Sequence, residues 1–88
     1  MNYRVFLSDD AISDFSRIDK SQRELIFKWI RKHLDGANDP RAFGKALSDG
    51  LKGLRHYRVG DYRLIANIVD DEVKIIIVHA GHRSRLYE

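Results

Sequence analysis

Polar and apolar residues alternate from the start of the chain. Tyr3, Val5 and Leu7 fall on one side of residues 2–7, and Arg4 and Phe6 on the other, which is the two-residue period of a strand. Ser8 follows as an N-cap, and Asp9 and Asp10 put negative charge in a first turn where the helix dipole favours it. The period then lengthens. Ala11, Ile12, Phe15 and Ile18 predict a short amphipathic helix to about Arg17. A second helix starts at Asp19 or Ser21, where Ser21-x-x-Glu24 fits a capping box. Leu25, Ile26, Trp29, Ile30, His33 and Leu34 form its apolar stripe. Gly36 and Asn38 end it, and Pro40 blocks continuation. The two helices read as an αα-hairpin whose apolar residues are core.

Residues 37–53 read as a connector anchored by Phe43, Ala46 and Leu47. The two-residue period then returns in three segments, about 54–59, 61–69 and 72–80, with turns at Gly60-Asp61 and Asp70-Asp71. One side carries Tyr57, Val59, Tyr62, Leu64, Ala66, Ile68, Val73, Ile75, Ile77 and His79, and should face the helices. His79 accordingly reads as a core histidine beside Tyr62. The other side carries His56, Arg58, Arg63, Ile65, Asn67, Lys74, Ile76 and Val78. One buried and one solvated face suit an antiparallel sheet. The expected fold is α+β: an N-terminal strand, an αα-hairpin, then a three-stranded antiparallel meander, forming one mostly antiparallel sheet with helices on one face. The 88 residues suit a single domain, 1–88.

Composition narrows the picture. There are no cysteines, which removes disulfides and cysteine-based zinc sites. The longest apolar run, Ile75-Ile76-Ile77-Val78, is far below membrane-spanning length. Arg4, Asp9 and Asp10 interrupt any secretory leader. The expected location is the cytoplasm, with no membrane partner. Net charge is +3. Residues 1–40 balance seven Lys/Arg against seven Asp/Glu, whereas residues 41–88 hold nine against six. The basic excess and His56, His79 and His82 therefore belong to the second half, which points to a polyanionic partner, nucleic acid first.

The candidate chemistry starts at the hairpin. A Gly60-Asp61 turn of type II′ puts Val59 opposite Tyr62 and Arg58 opposite Arg63. Like charges roughly 4.5–5.5 Å apart across a strand pair are destabilising, by about 1 kcal/mol when both heads reach water. An anion between the guanidinium groups would explain the placement. His56 shares their face. A simple meander register sets Arg63 and Tyr62 opposite Val78 and His79, so His82, Arg83 and Tyr87 of the tail reach the same end. The constellation is His56, Arg58, Arg63, His82, Arg83 and Tyr87.

Cations, proton-transfer groups and an aromatic, without a carboxylate pair or a Ser-His-Asp set, suit RNA phosphodiester cleavage without a metal. A base removes the 2′-hydroxyl proton, arginines hold the charged phosphorus centre, and an acid protonates the 5′-oxygen. Simple nucleic-acid binding is the alternative use of this face. Lys45, Lys52, Arg55 and Arg85 add cations for RNA contact, although Arg55 also reads as an edge side chain and Arg85 as solvent-facing. Gly44-Lys45 is not a phosphate-binding P-loop, because position 39 is Asp and no Ser/Thr follows Lys45. His79 and His82 alone make a weak metal set. No metal or other cofactor is expected.

The element order, Gly44-Lys45-Ala46-Leu47, the hairpin Tyr57-Arg58-Val59-Gly60-Asp61-Tyr62-Arg63 and the tail Gly81-His82-Arg83-x-x-x-Tyr87 together resemble the RelE/ParE toxin superfamily, nearest its RelE-type members. The resemblance implies the toxin of a type II toxin–antitoxin system. It implies a ribosome-dependent endoribonuclease that cuts mRNA in the A site, against rRNA, and inhibits translation. It also implies silencing by a cognate RelB-like antitoxin, and operator DNA contacted only through the toxin–antitoxin complex. By position, Arg63 falls on the arginine that contacts the scissile phosphate. Arg83 falls on the residue linked to leaving-group protonation or charge stabilisation, and Tyr87 on the terminal aromatic that stacks on or orients the mRNA. His56 and Arg58 fall on two basic positions of the first hairpin strand, His56 where Lys or Arg is common. The general base is His56 or His82. A ParE-like gyrase inhibitor without nuclease activity, or a non-catalytic member binding antitoxin or nucleic acid, are the alternatives.

Overall fold

The computed structural model describes residues 2–46 and 54–84. Strand β1 (Arg4–Leu7) leads into helix α1 (Asp9–Ser16), and helix α2 (Lys20–His33) follows. Strands β2 (Lys45–Ala46), β3 (Leu54–Val59), β4 (Tyr62–Val69) and β5 (Lys74–His82) complete one sheet in the order β1-β5-β4-β3-β2. β1 runs parallel to β5, and every other pairing is antiparallel.

The hydrophobic periods dictate the layers. Phe15 and Ala11 from α1, Ile26 and Ile30 from α2, and Ile18 and Leu34 beside them bury against Tyr57, Leu64, Ala66, Ile68, Ile75 and Ile77 of the sheet. The helices thus cover one sheet face, as the alternation requires. Ser8 caps α1, its hydroxyl accepting from the Ala11 amide at 3.0 Å and donating to the Val78 carbonyl at 2.9 Å. A single side chain therefore both starts the helix and pins it to β5.

Several details differ from the sequence expectation. Of the two expected starts of α2, Asp19 is the cap and Ser21 is not, because the Asp19 carboxylate accepts from the Ser21 amide and hydroxyl. Leu25 is exposed, and Phe27 packs in its place against the core, its ring 4.7 Å from that of Phe15. Ala46 is an exposed residue of β2, a strand too short for periodicity to register. Leu47 lies outside the described residues.

The largest correction concerns β5. Asp70–Glu72 forms a 3-10 turn and Val73 takes a left-handed conformation, φ 50°, so Val73 is not a strand residue. Val78 is then bulged out between Ile77, opposite Ala66, and His79, opposite Ile65. The longer turn and the bulge together place Tyr62 opposite His82 and Arg63 opposite Gly81. The bulge also shifts the buried phase from Ile75 and Ile77 to Ala80. His79 is not a core residue beside Tyr62. It is partly exposed, with its Nδ1 3.0 Å from the Asp14 carboxylate of α1.

Candidate functional site

The hairpin forms as its residues require. Gly60 has φ 61°, while Asp61 is not among the positive-φ residues, which together give the type II′ turn that fits strand twist. Val59 pairs with Tyr62 and Arg58 with Arg63, the expected register. Arg58 is exposed and its Nε donates to the Gly60 carbonyl at 3.3 Å. Arg63 is half-buried one strand over.

β2 brings the next cation. Lys45 lies opposite His56 on β3, and Ala46 opposite Arg55. Glycine is required at position 44. Its φ is +72°, and a Cβ there would collide with the His56 carbonyl oxygen and lie 2.7 Å from the Tyr57 ring. Arg55 fixes the same segment from the side. Its Nε donates to the Phe43 carbonyl at 2.8 Å, and one terminal nitrogen to the carbonyls of Arg41 at 2.9 Å and Gly44 at 3.0 Å. The fully buried Tyr57 hydroxyl donates to the Pro40 carbonyl at 2.6 Å. Arg41 in turn makes a two-pronged contact to Asp70 at 3.0 Å, where the Tyr3 hydroxyl also donates.

These restraints build a cavity of about 450 Å³ lined by Trp29, Phe43, Gly44, Lys45, His56, Arg58 and Arg63. Its electrostatics act on His56. Burial is the main influence holding the imidazole below its ordinary pKa, and Arg63, Lys45 and Arg55 push the same way. His56 is therefore neutral near pH 7, with cations around it.

The expected residues divide between places. His56, Arg58 and Arg63 share this cavity with Lys45. Arg83 is exposed, and its amide donates to the Asp61 carbonyl at 2.8 Å, so its main chain sits against the hairpin turn. His82 is at the same end but borders a different cavity, about 530 Å³, with Asp14, Arg17, Tyr62, His79 and Ser84. Its ring meets Tyr62 edge-on at 5.6 Å, and its Nδ1 accepts from the Ser84 amide at 3.2 Å. The changed β5 register explains the separation, because pairing with Tyr62 turns His82 toward the helix side. Arg55 serves the fold, its guanidinium engaged by three carbonyls. Lys52, Arg85 and Tyr87 lie outside the described residues. The sequence marks Phe43 only as an anchor; its place on the cavity wall has no signal in residue alternation. Among the described residues no group of three or more His, Cys, Asp or Glu is placed to hold a metal ion, and no helix is long and apolar enough to cross a membrane.

The fold and site define a small two-helix, five-stranded α+β domain with cations gathered at one hairpin, and comparison with known proteins makes the class specific. The family of ParE toxins of type II toxin–antitoxin systems, parDE, matches residues 5–87. Toxin RelE of Mycobacterium tuberculosis is 31% identical over 97% of this chain and 86% of its own length. The toxin–antitoxin complex RelBE2 of the same organism contains a chain that superposes with TM-score 0.84 at 25% identity, covering 96% of this chain and 94% of that one. The archaeal RelE–RelB complex of Pyrococcus horikoshii OT3 matches with TM-score 0.70 at 25% identity, covering 97% and 99%. This chain belongs to the RelE/ParE superfamily and is a toxin of the type II toxin–antitoxin kind. RelE-like members of that superfamily are often ribonucleases.

Proposed function

We propose that this toxin is a ribosome-dependent endoribonuclease that cuts mRNA in the A site and so stops translation. The observation that carries the reading is the gathering of Lys45, His56, Arg58 and Arg63 around one cavity. His56, held neutral by burial and neighbouring cations, takes the proton of the 2′-hydroxyl. The 2′-oxygen attacks the adjacent phosphorus, the bond to the 5′-oxygen breaks, and a cyclic phosphate remains. Arg58 and Arg63 neutralise the pentacovalent centre, with Lys45 adding charge. Arg83 stabilises the departing 5′-oxygen, which takes its proton from solvent. Tyr87 stacks on a base. No step calls for a metal, since the cations and the imidazole supply the charge and the base. His56 is preferred to His82 because His82 borders the other cavity.

A RelB-like antitoxin is the expected silencer, in keeping with neighbours that were solved as toxin–antitoxin complexes. Operator DNA would be met only through that complex. A second reading, gyrase inhibition without cleavage, is favoured by the ParE description of the matching family.

Induced expression in bacteria lacking the antitoxin, with mapping of mRNA 5′ ends, tests the two. Cleavage at codon-spaced positions is expected, falling on the order of 100-fold in Arg63→Ala, as for loss of a transition-state charge contact. Growth arrest with intact mRNA and trapped gyrase would establish the second reading instead. Naked RNA should be cut poorly, since the ribosome supplies the substrate's orientation.

A further inference from the structure

Four large apolar side chains are exposed among the described residues: Phe6, Ile12, Leu25 and Phe43. Phe43 is the one of these that borders the cationic cavity. It keeps 41% of its surface open to solvent. Its ring is backed by His33 at 4.9 Å and by Trp29, edge-on, at 6.3 Å.

The backbone beneath Phe43 is fixed on both sides. Arg55 holds the carbonyls of Arg41, Phe43 and Gly44, and Gly44 seats the chain where no larger residue fits. Such a ring gives up little further freedom when a ligand covers it. A partly exposed aromatic ring beside Lys45, His56, Arg58 and Arg63 suits a ligand with a flat π-surface next to an anion. A nucleotide has both, and successive bases of single-stranded nucleic acid stack on aromatic side chains flanked by cations.

We propose that Phe43 is a stacking platform that holds one RNA base while the adjoining phosphate rests on the Lys45–Arg58–Arg63 cluster. The inference rests on RNA being the substrate. It gives the connector a role in substrate positioning, since the connector's fixed backbone sets where that base lies.

The chain's single tryptophan, Trp29, lines the same cavity, so its fluorescence reports occupancy. The full chain is titrated at low salt with single-stranded RNA oligonucleotides that are 2′-O-methylated throughout and therefore cannot be cut. Each is compared with a copy carrying one abasic position. The wild-type protein should prefer the base-bearing strand by about tenfold. Phe43→Ala and Phe43→Leu should lose the preference, and Phe43→Tyr should keep it. On programmed ribosomes Phe43→Ala should raise KM about tenfold with kcat nearly unchanged, the signature of lost uniform binding.

The leucine variant separates stacking from packing. A residue that merely fills space would be rescued by leucine, and that result overturns the platform. Unchanged base preference and KM in Phe43→Ala, with cleavage intact, would sink the platform alone. A wild-type protein that discriminates the abasic strand but never cuts on ribosomes would leave the platform standing and remove the nuclease. If Phe43→Ala weakened antitoxin binding with RNA binding unaltered, the ring would belong to a protein contact and the proposal would fall.

Discussion

Single residues decide the chemistry at the hairpin end. His56 lies opposite Lys45 on one strand and two pairs away from Arg63 on the next, on the same sheet face. Burial and those cations hold its pKa below the ordinary value. Replacing Lys45 with alanine removes one cause and leaves burial in place, so the His56 pKa should rise part of the way back, as NMR titration of its ring would measure. The acid limb of cleavage should move to higher pH with it, since only neutral His56 accepts the proton. The stability consequence has the same origin. Between the lowered folded pKa and the unfolded value of about 6.5, the unfolded chain binds more protons. Stability therefore rises with pH through that window and falls on acidification. Gly44 is the other decisive residue. Gly44→Ala combines a left-handed backbone with a collision against β3, and should cost roughly 2–4 kcal/mol in denaturant unfolding. His56 and Arg63 were visible from alternation and turn chemistry alone. Lys45 was visible only as a nearby cation, because its pairing runs through a two-residue strand.

At the scale of elements, α1 and β5 are joined by side chains doing the work of a strand. β1 ends at Leu7, opposite Ile77, and leaves the next part of β5 without that neighbour. Asp14 takes over, its carboxylate accepting from the Ala80 amide at 3.0 Å and standing 3.0 Å from His79 Nδ1. Ser8 does the same for the Val78 carbonyl. Asp14→Ala should leave the Ala80 amide without this acceptor, lower stability by roughly 1–2 kcal/mol, and speed hydrogen exchange at that amide. Rapid exchange at Ala80 already in the wild type would contradict this account. The elements themselves were legible: Ser8, the helical stripe and the Gly60-Asp61 turn each carry a local physical signal. The β5 bulge has no such signal. It depends on how Val78 meets Ser8 and how Ala66 and Ile65 seat on the adjacent strand β4, so the simple register misplaced His79 and His82.

Across the whole molecule, the connector joins the site to the far end of the sheet. Tyr3 beside β1 and Arg41 of the connector meet at Asp70, in the β4–β5 turn, while Tyr57 and Arg55 hold the carbonyls of Pro40 and Phe43, on either side of Arg41, against β3. The basic excess of residues 41–88 becomes a localised cation cluster because β2, β3 and β4 are consecutive in the sheet. By itself the sequence determined the α+β layering, most of the helical core, the type II′ hairpin and the Arg58–Arg63 pairing. Those depend on side-chain period and turn conformation within a few residues. Only the tertiary structure decided that Lys45 and Phe43 join the arginines and that His82 lies apart. Those outcomes depend on contacts between segments distant in the chain: an Arg55 side chain satisfying carbonyls of the connector, a glycine seated against a neighbouring strand, and a bulge that inverts the facing of every residue after it.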